Sequence, residues 1–183
     1  MEVQTLDTRQ VYANRWMSVR EDTVRRPDGS TGIYGVVDTA DIALVVPVDG
    51  SRLHLVEQYR YPVGGRRWEF PSGSAEPLDV DDEALAHREL REETGLVANT
   101  LTLLGTIDVA PSMINHRCQV FLATDLSPGE PQRDPEEQDM RSAWFTRVDV
   151  EHMITDGEVR DAKSIAAFAL LLGHARRHSS PYR

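Results

Sequence analysis

The sequence is most informative at Arg88-Glu89-Leu90-Arg91-Glu92-Glu93-Thr94-Gly95-Leu96. Residues 81–94 carry Ala84, Leu85, Ala86 and Leu90 among glutamates and arginines. Acidic residues crowd the start, as a helix dipole favours, and Gly95 stands where a helix ends. This composition predicts a helix over 81–94. On such a helix Glu89, Glu92 and Glu93 are spaced i, i+3, i+4, so their side chains leave one face within a single turn. Three carboxylates that close repel one another and raise each other's pKa. A hard divalent cation, Mg²⁺ or Mn²⁺, removes that repulsion and is shared with substrate phosphates. The plainer reading is a solvated helix face rich in Glu and Arg. The glycine at the helix stop and the segment Glu69-Phe70-Pro71-Ser72-Gly73, one loop earlier, favour the metal site.

Working outward, the first third reads as antiparallel β structure. Residues 17–25 alternate in the strand manner, Pro27-Asp28-Gly29 is a turn, and residues 31–38 form the return strand. A short apolar run at 42–48 fits a buried strand, and Asp49-Gly50 turns the chain into another alternating strand at 53–60. Residues 61–74 are rich in Gly, Pro and Arg and read as loop, with a short strand near 68–70. Beyond the helix, 100–109, 118–126 and 142–145 read as strands. Residues 149–155 and 161–177 read as helices. The polar, Pro-rich segment 127–138 is a loop long enough to suggest either function or disorder. Strands, one helix, more strands and then helices argue for a mixed α/β layered domain.

Composition narrows the function classes. The chain has 183 residues and a net charge of −10, which repels phosphate backbones and argues against broad nucleic-acid binding. Cys118 is the only cysteine, which excludes an intrachain disulfide and a multi-Cys zinc site and fits a reducing compartment. No apolar run approaches the ~20 residues of a membrane span, and the first residues lack signal-peptide character, so a cytoplasmic protein without membrane association is expected.

Residues 88–96, with Gly73 before them, resemble the signature of the Nudix hydrolases, in which a glycine and an acidic position precede Arg-Glu-aliphatic-any-Glu-Glu-any-Gly-aliphatic. Each fixed position of the second half is matched. The middle departs by a one-residue insertion, which puts the first acidic position at Asp79 or a neighbour. The resemblance runs from roughly residue 16 to 175. Gln58-Tyr59-Arg60, Trp68-Glu69-Phe70-Pro71-Ser72-Gly73 and Pro111, 15 positions after Leu96, resemble the ADP-ribose pyrophosphatase branch.

That resemblance implies an α/β/α sandwich, a mixed sheet between helices, over 41–183. An N-terminal antiparallel β extension over 1–40 would help form a homodimer, with adenine bound near the subunit boundary. It implies Mg²⁺-dependent (or Mn²⁺-dependent) attack of water on a small-molecule nucleoside diphosphate, with ADP-ribose giving AMP and ribose 5-phosphate. The alternatives are a GDP-mannose-like nucleotide sugar, a dinucleoside polyphosphate or a damaged nucleoside triphosphate. A binding protein that holds a nucleotide without cleaving it is a further one.

By the same resemblance Glu89 and Glu93 ligate metal. Glu92 ligates directly or through water, and the backbone carbonyl of Ser72 adds a ligand. Arg88 orients a glutamate. The general base comes from the acidic loop 134–139, with Glu137 first, then Glu136, then Asp139. Arg60 contacts phosphate or ribose, and Arg66 and Arg67 are candidates of the same kind. Glu69 holds ribose hydroxyls or an arginine. Trp16, Tyr34 and Tyr61 are open between purine stacking and packing. The histidines show no ligand spacing, and Cys118 reads as a buried strand residue.

Overall fold

The computed structural model describes residues 2–75, 81–133 and 137–178. They form two compact units. One runs up to Asp41 and adds Asp108–Arg117; the other comprises Ile42–Ile107 and the chain from Cys118 onward.

The first unit is an antiparallel sheet of β1 (Gln4–Ala13), β2 (Met17–Arg25) and β3 (Thr31–Thr39), in that order. The β2–β3 turn has Gly29 at φ 85°, a left-handed conformation that glycine adopts without strain, and the Asp28 carboxylate accepts the Ser30 N–H at 2.9 Å. Met113 and Asn115 add to β3 through Val37: its N–H donates to Met113 O at 2.8 Å, and its carbonyl accepts from Asn115 N at 3.3 Å. Every residue of β1 is exposed. A strand with neither face covered has no apolar alternation to read, and residues 4–13 carry none.

The second unit is built on β4 (Ile42–Asp49), β5 (Arg52–Arg60), β6 (Gly65–Glu69), β7 (Ser72–Ser74), β8 (Val97–Asp108), β9 (Arg117–Ser127) and β10 (Arg141–Thr146). The sheet order is β10-β5-β4-β9-β8, with β6 on β5 and β7 on β4. The β4–β9 pair is parallel and the β4–β5, β4–β7, β5–β6 and β5–β10 pairs are antiparallel, so the sheet is mixed. The expected strand near 68–70 is longer and earlier. Gly65 to Glu69 pair with Arg60 to Val56, which turns the Arg-rich middle of that loop into strand.

Among the described residues three α-helices cover this sheet: α1 (Asp82–Thr94), α2 (Arg147–Thr155) and α3 (Ala162–Arg177). Helix α1 and α3 pack on β4, and α2 packs on β10 and β5. Ile42 to Val48 are all buried, as a strand covered on both faces requires. Ala43 and Val45 point to one face and join Leu85, Ala86 and Leu90 of α1 with Phe121 and Ala123 of β9. Among the described residues no helix is long and apolar enough to cross a membrane.

One core position is pH-sensitive. His54 in β5 faces Trp144 in β10, ring centroids 4.6 Å apart, and its buried Nδ1 has no hydrogen-bond partner among the described residues. Burial pushes the imidazole pKa from 6.5 down to about 4. The folded ring stays neutral while the unfolded ring takes up a proton first. Its contribution to stability is therefore complete above the unfolded value and is lost as pH falls from about 6.5 toward 4. The expected slope is up to about 1.4 kcal/mol per pH unit. Denaturant unfolding followed by tryptophan fluorescence should show His54→Leu flattening that slope; an unchanged slope would contradict it.

Candidate functional site

Helix α1 is the frame of the site. Its N-cap, Asp81, accepts the Ala84 N–H at 2.7 Å, and Asp82 and Glu83 fill the first turn. At the other end Gly95 sits at φ 76° and returns its N–H to Arg91 O at 2.8 Å. A Cβ on Gly95 would stand 2.5 Å from Gly129 O, so the segment after β9 crosses the helix end directly. The buried face of α1 holds Leu85, Ala86 and Leu90, but also Glu89 and Glu93. Carboxylates on a core-facing stripe are costly unless they serve a ligand or a partner.

Their surroundings show why Gly73 is a glycine. A Cβ there would stand 2.2 Å from Cδ of Glu89, so the Glu89 carboxylate lies against the bare backbone of β7. Arg88 directs the neighbouring charges: its guanidinium lies 3.3 Å from Glu89 Oε1 and 3.5 Å from Glu92 Oε2. Its Nη2 also donates to Ser74 O at 3.4 Å. Glu93 is 1% exposed and accepts the Ser72 N–H at 3.2 Å. Burial, and then the negative charges of Glu137, Glu89 and Glu69, push its carboxyl well above the usual range, with Arg60 opposing.

This donor set fits a hard divalent cation. Glu93 is buried, crowded by like charges and short of counter-charge, and Glu89 rests in a cradle that a side chain at residue 73 would fill. Among the described residues no three potential ligand side chains converge into a ready-made cage. Glu89 and Glu92 reach toward Arg88, and Glu93 toward Ser72. Gly73→Ala should therefore displace Glu89, the flexible partner, rather than unfold the chain. Turnover should fall ~100-fold with little change in melting temperature. Full turnover in this variant would contradict the cradle.

A cavity of about 490 Å³ is lined by Arg60, Arg67, Glu69, Arg160 and Asp161, with Pro62, Val63 and Ala162, and two of these, Arg60 and Glu69, act on the charge of Glu93. Arg60 and Glu69 form a bidentate pair, Nε–Oε1 2.8 Å and Nη2–Oε2 2.9 Å, so Glu69 holds an arginine. Lys163 lies 4.0 Å from Glu69 and 2.9 Å from Asp161. Asp161 caps α3 through Ser164, whose Oγ accepts the Phe70 N–H at 2.9 Å and ties α3 to the strand before the signature. Burial opposes the Asp161 charge, but Lys163 and Ser164 outweigh it and hold the carboxyl below its usual range. Arg67 reaches the cavity while donating to Arg66 O at 2.6 Å.

Other sequence candidates fall elsewhere. Arg66 is committed to Glu57 at 2.9 Å and to Asp139 at 2.6 Å, so it is engaged away from the cavity and Asp139 already serves as its counter-ion. Glu137 lies close enough for its charge to act on Glu93. Glu136 and Asp79 lie outside the described residues. Tyr61 is 86% exposed, Trp16 63% and Tyr34 45%, so none of them packs in the core. Cys118 is buried and its thiol is pushed up to about 12, which leaves it protonated and inert. Sequence reasoning missed Arg160, Asp161 and Lys163. Lys163 carried a faint signal as the only lysine, placed in the first turn of an expected helix.

Comparison with known proteins bears directly on this site. Residues 38–168 match the family model described as NUDIX domain, and residues 3–37 match the nucleoside diphosphate sugar hydrolase N-terminal domain. An ADP-ribose pyrophosphatase of Mycobacterium tuberculosis is 32% identical over 95% of this chain and 84% of its own length. An ADP-ribose pyrophosphatase of Bacillus subtilis is 28% identical, covering 93% of each chain. The crystal structure of an ADP compounds hydrolase shares the fold, with a TM-score of 0.86 over 97% of this chain and 96% of its own, at 22% identity.

Proposed function

Because the chain belongs to the Nudix hydrolase family, we propose that it hydrolyses the diphosphate of ADP-ribose to AMP and ribose 5-phosphate, with Mg²⁺ or Mn²⁺ as cofactor. The observation that carries this reading is the buried pair Glu89 and Glu93, with Glu93 within electrostatic reach of Arg60 and Glu69 of an arginine-lined cavity. Glu89, Glu92 and Glu93, with the Ser72 carbonyl, would hold the metal. A bound divalent ion would supply charge neutralisation on the diphosphate and lower the pKa of the attacking water.

The protein's own groups do the rest. Arg88 pairs with both Glu89 and Glu92 and restrains where the two carboxylates can turn as metal and substrate arrive. Arg60, fixed by Glu69, and Arg67 place the diphosphate and the ribose beyond it. Glu137 takes the proton from water as the new P–O bond forms. The P–O–P bridge breaks, and its electron pair leaves with the departing phosphate monoester. GDP-mannose-like sugars and dinucleoside polyphosphates offer the same diphosphate to the same helix, so selectivity rests on the cavity and its loops. A panel of these substrates with ADP-ribose, scored by kcat/KM with Mg²⁺, tests the choice. ADP-ribose is expected to lead by at least ~10-fold. A lead by another member keeps the catalytic helix and overturns the substrate.

We also propose a cytoplasmic homodimer joined through residues 1–40. Support comes from β1, exposed along its whole length with Leu6, Val11 and Tyr12 at the surface and Val3 just before it, which is the condition of an edge strand that needs a partner. Sedimentation should give a dimer for the full chain and a monomer after removal of residues 1–40. A full-length monomer would remove the proposal.

A further inference from the structure

We propose that Arg133 is a positioning residue that sets Glu137 against the carboxylates of α1, an inference that rests on Glu137 acting as the general base. The last carbonyls of a helix have no partner within it. At the end of α1 these are the carbonyls of the residues whose side chains form the site. Glu92 O accepts from Gln132 N at 3.0 Å, and Glu93 O accepts from Arg133 Nε at 3.1 Å. The same guanidinium donates through Nη1 to Met140 O. Met140 is buried, and its N–H donates to Glu137 O at 2.9 Å. Gln138 Nε2 donates to Arg133 O at 2.8 Å. One side chain therefore fastens the turn 137–140 to the backbone of Glu93.

The turn is held from its other side as well. Arg66 of β6 donates to Asp139 Oδ2 at 2.6 Å and to Asp139 O at 2.9 Å, while Glu57 of β5 fixes Arg66. Glu137 opens a turn whose third and fourth residues are anchored to two different elements. Arg133 ties its fourth residue to the helix that carries the glutamates of the site. The planar fork serves two carbonyls in a fixed relative geometry; a lysine ammonium on a flexible stem does not. A base displaced by about 1 Å loses up to ~100-fold in rate, so the anchor belongs to the chemistry as well as to the fold.

The test compares Arg133→Ala and Arg133→Lys with wild type, alone and combined with Glu137→Gln, using ADP-ribose and Mg²⁺. Expected for Arg133→Ala is a kcat lower by ~10- to 100-fold with KM within about twofold and the Mg²⁺-dependent rise in melting temperature retained. Arg133→Lys should recover only part of the rate, and it carries the test if the alanine variant does not fold. In the Glu137→Gln background neither Arg133 change should lower kcat further, because the group being positioned is already gone. A helix cap without a positioning role would lower the melting temperature and leave kcat unchanged, which would overturn the proposal. A loss that multiplies undiminished on that of Glu137→Gln would overturn it too. If Glu137→Gln itself keeps wild-type kcat, the base assignment fails first and takes the inference with it.

Discussion

Glu93→Gln is expected to lower turnover by roughly 1,000-fold while leaving the metal-free protein as stable as wild type or more stable. The two effects have one cause. Glu93 is enclosed, lies among other carboxylates and has a carboxyl pKa raised by burial and by those charges. Removing the negative charge relieves the crowding, and glutamine keeps an oxygen to accept the Ser72 N–H. The pH dependence has a definite sign. A carboxyl raised above its unfolded value favours folding below the ordinary carboxylate range, and that contribution is lost as pH rises. Metal-free wild type should therefore weaken with rising pH more than the variant does. With Mg²⁺ the order reverses: wild type should gain melting temperature and Glu93→Gln should not. A variant that keeps its turnover, or that melts far below metal-free wild type, would contradict the assignment.

The second large effect is expected at Glu137. Glu137→Gln should reduce kcat by about 10²- to 10³-fold, the range of a positioned general base, with the Mg²⁺-dependent melting shift intact. Loss of turnover with metal binding retained separates the base from the ligands, since Glu93→Gln loses both. If Glu136→Gln is the damaging change and Glu137→Gln is silent, the base is the neighbouring carboxylate. Asp139 is already bound to Arg66, and Asp139→Asn should act mainly on the placement of the turn.

The sequence was legible where a local pattern carries the physics. The helix around Glu89 and Glu93 announces itself by its cap residues and by charge at helical spacing, and the structure begins it one residue after the capping Asp81. Strands β4 and β5 are visible because burial leaves an apolar or alternating record. Strand β1 left no such record, since neither of its faces is covered. The amino end of α3 was invisible as part of the site for a different reason. Asp161, Lys163 and Ser164 meet Glu69 and Phe70 across some 94 residues of chain, a proximity that only the folded sheet creates. Arg133 was hidden likewise, because its partners are backbone carbonyls and leave no mark in a residue pattern. Arg66 shows the converse: an arginine in the right loop that the fold spends on a structural ion pair.

The central claim is that the α1 carboxylates make this chain a metal-dependent diphosphate hydrolase. The most direct measurement is phosphorus NMR of ADP-ribose incubated with the full-length protein, with and without Mg²⁺. The account predicts that the diphosphate resonances give way to the two monoester signals of AMP and ribose 5-phosphate only with metal, and not at all with Glu93→Gln. An intact diphosphate in the presence of Mg²⁺, or equal hydrolysis by Glu93→Gln, would contradict it.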